Sequence, residues 1–557
     1  MGFSIILLTV SFIIGAYIVY KVNKRSPFWN IPGPKSHSFI LGHICELFQN
    51  QVGLTDFEWQ ETYGNVVRFK ASFGSDYLMI SDPKALQRVF QTSGYRWRKT
   101  PQRREFSRLT SGKGLAWADG MDNTPLPGPY LCIKTLAGDV HKRQRKIMLP
   151  GFSAPEAKNF FPFFSSCAAV LCSRWTDIIS ASSERHQVFN VSEWMSRAVL
   201  DAIGQAAFDY DFGATKDQDT ELSKLYQGLM AKTFGAPSKT ALLLLELFQY
   251  VPTSVMEFVN NHNPRFSSLH RVAHLAEATA RHLVDTKSDL LLEGKNKKDI
   301  MSLLVKANQD AALHPKARLS EEELLAQMRV LLFAGHETSS TTLSFALFEL
   351  SRIRKEIRSV EKNIEERGDT RFTAQDLESM PLLGATVKET LRFHPVAMHL
   401  FRVAVEDDIL PLSKPIITTT GEILHELVVP KGTRIVGSVP AYNRNKDVFG
   451  DDSFEFNPDR WLESGHVNND VSLGVYANLA TFSAGIRSCI GWRFAVLELQ
   501  AFLVELIRNF EFEATPALER IRRETAFVMT PTIEGELEKG SQMPLKVAFS
   551  ARDNEKR

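Results

Sequence analysis

Residues 482–491 read Phe-Ser-Ala-Gly-Ile-Arg-Ser-Cys-Ile-Gly and hold one cysteine, Cys489, between Gly485 and Gly491. The apolar run that follows is typical of a helix, so Cys489 would lie at a helix N-terminus. The helix dipole and the free N–H groups at that end favour a thiolate, and Arg487 adds a nearby positive charge. The two glycines would let the backbone bend closely around a sulfur atom or a flat ligand. The stretch therefore predicts a nucleophilic or metal-binding thiolate, with a buried structural cysteine as the alternative.

The pattern of this loop, Phe-x-x-Gly-x-Arg-x-Cys-x-Gly, resembles the haem-binding loop of cytochrome P450 enzymes, the haem-thiolate monooxygenases. The resemblance implies that Cys489 is the metal ligand, the axial thiolate on the iron of haem b. It also places Phe482 in the cofactor-binding loop and pairs Arg487 with a haem propionate. A thiolate ligand pushes electron density onto iron and favours cleavage of the O–O bond of bound oxygen.

A second segment, Ala334–Thr338, reads Ala-Gly-His-Glu-Thr inside a long helical run. Gly335 would leave a gap beside the backbone, and the Thr338 hydroxyl would hydrogen-bond to a carbonyl of its own helix. Glu337 is an acid beside it, and together they would pass protons to an iron-bound oxygen species. Ordinary helix packing is the alternative from the residues alone, whereas the resemblance makes Thr338 and Glu337 the catalytic pair. One helical stripe would face the haem, formed by residues 334, 338, 341 and 345.

A basic helix is predicted over residues 141–146, His-Lys-Arg-Gln-Arg-Lys, in which His141 and Arg145 are i, i+4 neighbours. A solvated charged face is the usual explanation of such a run. By resemblance, His141 and Arg145 hold the haem propionates, and Arg402 is a further propionate contact. The other cations of the helix would receive an acidic electron-donor protein.

A third group is implied by the resemblance to be structural. Glu389 and Arg392 share a helix face at i, i+3, a spacing typical of a solvated salt bridge. In the family these two residues join an arginine of a downstream segment, here Arg460, in one buried network. Buried charges are tolerated when they have such partners.

The composition is that of an ordinary globular protein, which argues against a disordered chain, collagen or a coiled coil. The chain has 557 residues, and Lys+Arg 66 against Asp+Glu 64 leaves a net charge of +2, which gives no indication of nucleic-acid binding. Five scattered cysteines without a CxxC pair favour a reducing compartment over a disulfide framework or a zinc site. Periodicity predicts a mainly α-helical body with a smaller β region, which the resemblance identifies as the cytochrome P450 fold.

The N-terminus reads as a membrane anchor. Residues 3–20 carry no charge, which is just long enough for a transmembrane helix, and three basic residues follow by position 25. We therefore divide the chain into an anchor (1–20), a basic stop with a Pro/Gly hinge (21–34) and a catalytic domain (35–557). The expected location is the endoplasmic reticulum membrane, single-pass, with the catalytic domain in the cytoplasm. A cleaved secretory signal is the alternative.

Residues 121–138 depart from the family pattern. Their removal joins Gly120 to Asp139 and leaves GLAWADGDVHKRQRK, which reads as uninterrupted family sequence. These 18 residues correspond to 54 nucleotides, so an intron of this length would leave the reading frame unchanged when it is translated. Two hypotheses remain open, a translated intron and a genuine loop over the substrate pocket.

The resemblance implies the reaction and its partners. The expected enzyme hydroxylates or epoxidises a lipophilic small molecule with O2 and with electrons from NADPH through a separate reductase, or through cytochrome b5. Fungal secondary metabolism of a terpenoid or polyketide is the expected setting, with a fatty acid or xenobiotic as alternative substrates. Further alternatives are a haem-thiolate isomerase, dehydratase or peroxygenase, a non-catalytic haem protein and an inactive splice product. The polar pocket candidates are His399 and Thr530 among mostly apolar segments.

Overall fold

The computed structural model describes residues 26–119, 137–216, 220–293, 299–310, 318–350 and 372–550. Helices α1 to α10 span Ile44–Gln49, Leu54–Tyr63, Pro83–Gln87, Pro101–Ser111, Ala137–Met148, Ala154–Asn159, Phe161–Ala181, Val191–Phe208, Glu221–Tyr226 and Leu229–Phe234. Helices α11 to α20 span Lys239–Leu247, Thr253–Asn261, Ser267–Leu292, Ile300–Asp310, Glu321–Glu349, Ala374–Glu378, Pro381–Phe393, Val439–Asn443, Lys446–Phe449 and Trp492–Asn509.

The strands form small sheets beside this helical body. Strands β1 to β6 span Val66–Lys70, Asp76–Ile80, Trp97–Arg98, His186–Asn190, His399–Ala404 and Asp408–Ile417. Strands β7 to β12 span Ile423–Val429, Arg434–Ser438, Phe510–Ala514, Ile521–Thr525, Met529–Ile533 and Pro544–Phe549. The largest sheet has the order β1-β2-β8-β5-β3, in which β2 and β8 are parallel and the other pairs are antiparallel.

Helix α15 runs through the centre of the helical body. It packs most extensively against α8 and also contacts α13 and α20, while α20 packs on α7. Its N-terminus is held by a capping box, in which the Ser320 hydroxyl accepts from the backbone N–H of Glu323 and the Glu323 carboxylate accepts from the backbone N–H of Ser320. Because α15 is enclosed by other helices, its side chains are mostly buried along both faces, and cavities open only where neighbours leave room.

The predicted mainly helical architecture with a smaller β region is confirmed. Ser320 and Glu323 have the spacing of a capping box in the sequence, and the structure forms it. The predicted helix after the cysteine loop is also present. The predicted anchor at residues 1–20 lies outside the described residues. Within the described ranges of 26–550, no helix combines the length and hydropathy that crossing a bilayer requires. Most of the 121–138 segment also lies outside them, and the described chain resumes at α5.

Candidate active site

The cysteine loop is a tight turn that places Cys489 just before the N-terminus of α20. The Cys489 backbone N–H donates to the Phe482 carbonyl oxygen at 2.8 Å, and Gly491 is the N-cap of the helix. Gly485 has φ +62°, and a Cβ there would lie 2.1 Å from the Phe90 carbonyl oxygen, so only glycine fits. A Cβ at Gly491 would meet nothing closer than 3.5 Å. The loop geometry therefore requires the first glycine and not the second.

Burial and charge act against each other at the Cys489 sulfur. Burial raises the pKa of the thiol, while the Gly491 backbone N–H and the charge of Arg145 lower it. The prediction that the charge of Arg487 stabilises the thiolate is wrong. Arg145 is the cation whose charge opposes the rise in the pKa of Cys489. The effect of burial exceeds the effects of the Gly491 N–H and of the Arg145 charge, so the pKa of the Cys489 thiol is raised. The position by itself therefore does not favour a thiolate. A cation bound at the sulfur would reverse that balance, because metal coordination deprotonates a thiol.

A cavity of about 330 Å³ separates the cysteine loop from α15, and we call it the cysteine cavity. Cys489 borders it and is accessible from it. The opposite wall is formed by α15, and most of the remaining lining is apolar. Residues that line it from separate elements include Phe152, Ile203, Leu331, Thr338, Val396 and Phe482. Two segments far apart in the sequence, the loop and the Ala334–Thr338 stretch, thus face each other as predicted.

Thr338 is on the wall that faces Cys489. Its hydroxyl donates to the Ala334 carbonyl oxygen at 2.7 Å, which confirms the predicted hydrogen bond within the helix. Ala334 and Thr342 line the same cavity. Gly335 also lines this cavity, in keeping with the predicted gap, although a Cβ there would lie 2.8 Å from Cδ1 of Ile203 on α8. That glycine allows α8 to pack closely on α15.

The predicted stripe of residues 334, 338, 341 and 345 is correct for its first two members only. Thr341 lines a different cavity, and the Phe345 ring stacks on the His394 ring with centroids 4.3 Å apart. Helical periodicity places all four on one side of α15, but α8 and the segment after α17 cover the C-terminal part of that side. Packing by neighbours therefore decides which residues reach the cavity.

Glu337 lies on another side of α15 from Thr338. It lines a polar cavity of about 150 Å³, the Glu337 cavity, together with Ser192, Ser196 and Lys539. The carboxyl group is 7% exposed, and its Oε1 has no hydrogen-bond partner among the described residues. Burial raises the pKa of Glu337 to about 8, so the group is largely protonated at neutral pH. The two predicted catalytic residues are sequence neighbours that face separate cavities.

Arg487 belongs to a cluster of cations beside the cysteine loop. Its guanidinium donates to the Trp97 carbonyl oxygen at 3.0 Å and to the Asp119 carboxylate. Lys99 also bonds to this carboxylate through its backbone N–H, at 2.9 Å, and its ammonium group donates to the carbonyl oxygens of Ala116 and Ala118. Burial is the main cause that lowers the pKa of Lys99, to about 7.

The sequence analysis missed both Lys99 and Asp119. The only signal was a lysine in the basic stretch before α4 and an acid 20 residues later, which is too weak to connect them.

Arg402 and His141 complete the same cluster. Arg402 is 6% exposed, and burial with the nearby charge of Arg487 lowers its pKa to about 9. The His141 ring nitrogen Nδ1 is 2.7 Å from the Tyr95 hydroxyl, and burial beside Lys99 and Arg487 lowers its pKa to about 3. His141 is therefore neutral and can act only as a hydrogen-bonding group.

Arg145 lies one helical turn beyond His141 and reaches the cysteine loop. Its guanidinium donates to the Ser488 carbonyl oxygen at 2.8 Å and to the Ser488 hydroxyl at 3.2 Å. The i, i+4 spacing of His141 and Arg145 thus places both on the side of α5 that faces the cysteine loop, and their contact with the haem propionates stays a prediction. Neither lines the cysteine cavity, whereas Arg487 does.

The donor set fits a haem. The cluster gathers three formal cations, Lys99, Arg402 and Arg487, around one carboxylate, that of Asp119, and burial makes this excess of positive charge costly. The Arg487 Nε atom is buried without a hydrogen-bond partner in the described part of the chain. Haem carries two carboxylates at one edge, and a thiolate on its iron suits the accessible Cys489 sulfur. Arg487, which lines the cavity, would hold a propionate, with Lys99 and Arg402 beside it.

The remaining cations of the basic helix differ in their surroundings. Arg143 makes a bidentate ion pair with Glu323, with distances of 2.7 and 2.6 Å. Lys142 and Lys146 are exposed. The surface predicted to receive an electron donor is thus reduced to these two lysines of α5, because Arg143 is held against α15.

The buried network predicted around Glu389, Arg392 and Arg460 is present. The Glu389 carboxylate accepts two hydrogen bonds from Arg392, at 2.8 and 2.7 Å, and one from Arg460 at 3.1 Å. All three side chains are fully buried. Arg460 also donates to the Asp452 carboxylate at 2.8 Å. The network joins α17 to the segment that follows α19.

The two polar pocket candidates are wrong. His399 Nε2 is 2.8 Å from the Asp56 carboxylate, in a buried pair that also includes the Ser438 hydroxyl. Thr530 is buried in β11 and lines none of the cavities described here. Both fall in strands whose side chains alternate between faces, and the sequence alone did not indicate which face meets the cavity.

Comparison with known proteins finds similar sequences along most of the chain. Residues 132–537, more than half of the chain, match the family model for cytochrome P450. Cytochrome P450 monooxygenase claP from Ampulloclitocybe clavipes is 31% identical over 542 residues, with 95% of both chains covered. Cytochrome P450 monooxygenase claQ from the same fungus is 30% identical over 543 residues, also with 95% of both chains covered. Cytochrome P450 monooxygenase 205 from Postia placenta is 28% identical over 532 residues, covering 94% of this chain and 93% of the relative.

Proposed function

The chain belongs to the cytochrome P450 family, a family of monooxygenases whose haem iron has a cysteine thiolate as axial ligand, and we propose that Cys489 supplies that thiolate here. The observation that carries the proposal is the cysteine cavity, which Cys489 and Thr338 border from separate elements. When bound, the haem supplies an iron that binds and activates O2. The overall reaction consumes a substrate C–H bond, O2, two electrons and two protons and yields an alcohol and water. Epoxidation of a C=C bond has the same oxygen and electron balance.

The protein's own residues would exclude water from the cavity and would hold and supply protons there. Apolar side chains line most of the cavity and would exclude bulk water from the reacting atoms. The Thr338 hydroxyl donates to the Ala334 carbonyl oxygen, so its own oxygen can accept a hydrogen bond from within the cavity. We infer that Thr338 positions a proton there.

Glu337 would resupply that proton from the other side of α15. Its pKa of about 8 keeps it protonated near neutral pH, and the residue lines a polar cavity suited to water. A change of side-chain rotamer, or water beside Thr338, would link the two sides. Burial thus suits Glu337 to act as an acid rather than as a structural anion.

The partners follow from the family and from the surface of α5. A P450 takes electrons from a redox partner and acts on lipophilic substrates, and we propose NADPH–cytochrome P450 reductase as the donor, with cytochrome b5 as an alternative. Lys142 and Lys146 are exposed on the helix whose Arg145 contacts the cysteine loop. An acidic donor surface would meet them close to the haem edge.

Location and pathway are also proposals. The uncharged stretch 3–20 and the basic residues after it support a single-pass anchor in the endoplasmic reticulum membrane, followed by the 21–34 hinge and the 35–557 catalytic domain. The similarity to fungal monooxygenases supports a role in fungal secondary metabolism.

Residues 121–138 are proposed to be an insertion, and a translated intron remains one explanation. Asp119 precedes this segment and His141 follows it, and the two are near enough for the charge of Asp119 to act on His141. A connection much shorter than the present one would therefore join them.

Replacement of the cysteine tests the assignment. Cys489→Ser should abolish the thiolate-type Soret band of the reduced protein with carbon monoxide, together with NADPH-driven product formation. Cys172→Ser is the control, because that cysteine is buried and contacts the Glu505 carbonyl oxygen, remote from the cavity lining. An unchanged carbon monoxide spectrum in Cys489→Ser would refute the proposal.

A further inference from the structure

A separate apolar cavity lies between α4, α11, α12 and the residues that follow β10. Its volume is about 150 Å³, and we call it the Arg103 cavity. Most of its lining is aromatic or aliphatic, with Phe106, Phe234, Leu242, Met256, Phe266 and Phe527 among the lining residues. Such a lining suits the hydrocarbon part of a small molecule.

Arg103 of α4 brings a positive charge into this apolar lining. Its guanidinium lies 4.4 Å from the centroid of the Phe527 ring. In the part of the chain that the structure describes, no ion pair or hydrogen bond of this guanidinium is found. Burial alone lowers the pKa of Arg103 to about 10, with no neighbouring carboxylate to offset it. Arg103 is half-buried, and a cation that faces a cavity without a counter-ion is unusual, because even partial burial of an unpaired charge is costly.

The other charged groups of the cavity are already paired. Glu105 accepts two hydrogen bonds from Arg108, both at 2.8 Å, and a third from Asn260 at 3.1 Å. Arg265 donates to the Thr233 carbonyl oxygen at 2.7 Å. Glu105 therefore does not compensate Arg103, and Arg265 is a second cation of the lining that is exposed to solvent.

The Arg103 cavity and the cysteine cavity have no lining residue in common, but a short chain of contacts connects their linings. The Phe527 ring contacts the ring of Phe333, with centroids 5.5 Å apart, and Phe333 precedes Ala334 of the cysteine cavity. Two residues after Phe527, the Met529 backbone N–H donates to the Val396 carbonyl oxygen at 2.9 Å, and Val396 also lines the cysteine cavity. A ligand that displaced the Phe527 ring would reach from Arg103 to the space above Cys489.

We propose that Arg103 binds the carboxylate of the substrate, which is an amphipathic carboxylic acid with its hydrocarbon part directed past Phe527 toward Cys489. This inference rests on the proposed monooxygenase function and names its substrate class. The planar guanidinium accepts a carboxylate in a bidentate geometry, and its single charge matches a single carboxylate better than a doubly charged phosphate. The oxidised carbon then lies away from the acid end of the molecule.

The test compares each acid with its uncharged analogue. Purified haem-loaded protein is titrated with dodecanoate and with 1-dodecanol, and with farnesoate and farnesol, and binding is followed by the shift of the Soret band. Arg103→Gln should weaken the binding of both acids at least about tenfold, the cost of a charge-assisted hydrogen bond, and should leave the alcohols unchanged. Arg104→Gln is the matched control, because its guanidinium lies 4.2 Å from the Trp117 ring and does not line the cavity.

The outcomes separate this inference from the proposed function. Equal weakening of acids and alcohols by Arg103→Gln, or wild-type protein that binds neither acid more tightly than its alcohol, would overturn the substrate class. Loss of haem from Arg103→Gln alone would also overturn it, because Arg103 would then hold the cofactor. Absence of the thiolate-type spectrum from every variant and from the wild type would instead refute the proposed function.

Discussion

Burial sets the chemistry of the acidic side chains near the reaction site more strongly than sequence position does. Glu337 and Thr338 are adjacent in the chain, yet one faces a polar cavity and the other an apolar one. The same burial that raises the pKa of Glu337 to about 8 makes it a proton donor at neutral pH. Glu498 on α20 shows the same effect, with a pKa raised to about 8 by burial.

The Thr338 hydroxyl is the residue-level feature whose removal should separate electron use from product formation. Thr338→Ala should lower product formed per NADPH consumed at least about tenfold, because proton positioning by a side chain contributes at least that much. NADPH consumption and the product are measured together in the reconstituted system. Ser344→Ala is the control, since its hydroxyl also bonds within α15, to the Ser340 carbonyl oxygen at 2.7 Å, away from the cavity. Coupling that is unchanged in Thr338→Ala would remove Thr338 from the mechanism.

At the scale of elements, α5 has one side toward the cysteine loop and another toward solvent. Its His141 and Arg145 side chains turn toward the loop, while Lys142 and Lys146 are exposed. The two i, i+4 pairs of this helix, His141 with Arg145 and Lys142 with Lys146, therefore have different surroundings. One pair contributes to the cofactor site, and the other offers a charged surface to a partner.

The double variant Lys142→Glu with Lys146→Glu should slow the first electron transfer from the reductase about tenfold at low salt, because complementary charge chiefly raises the association rate. The difference from wild type should shrink at high salt, where charges are screened. Stopped-flow reduction under carbon monoxide measures the rate. Lys431→Glu with Lys446→Glu, at exposed positions in the turn after β7 and at the start of α19, makes the same change in net charge. If both double variants slow reduction equally, the effect is general and α5 is not the docking surface.

At the scale of the whole molecule, the buried network of Glu389 connects segments distant in the chain. It joins α17 to the segment that contains Asp452 and Arg460. The Glu389 carboxylate also accepts a hydrogen bond from the Trp461 indole at 2.9 Å. The network contains two arginines and one central carboxylate, all fully buried. Removal of the carboxylate charge would leave the arginines undercompensated in the interior.

Glu389→Gln should therefore lower the free energy of unfolding by about 3 kcal/mol, the typical cost of leaving a buried charge without its partner. The midpoint of urea denaturation, followed by tryptophan fluorescence, measures the change. Glu463→Gln is the control, because Glu463 pairs with His466 on the surface, where such pairs contribute less than about 1 kcal/mol. Equal midpoints for the two variants would contradict a structural role for the network.

The sequence by itself determined the features that are local in the chain. The cysteine loop, the cap of α15 and the spacing of α5 were predictable because each depends on residues within about one or two helical turns. The Glu389 network was predictable only through its resemblance to a family, since its third member lies about 70 residues away.

Tertiary structure alone decided which side chains share a cavity. Lys99 meets Arg487 through Asp119, and Arg103 lies beside Phe527, across separations of several hundred residues that no local pattern encodes. It also directed His399 to Asp56 and Glu337 away from Thr338. The physical reason is that helical or strand periodicity defines the faces of an element, whereas the packing of its neighbours determines what each face meets.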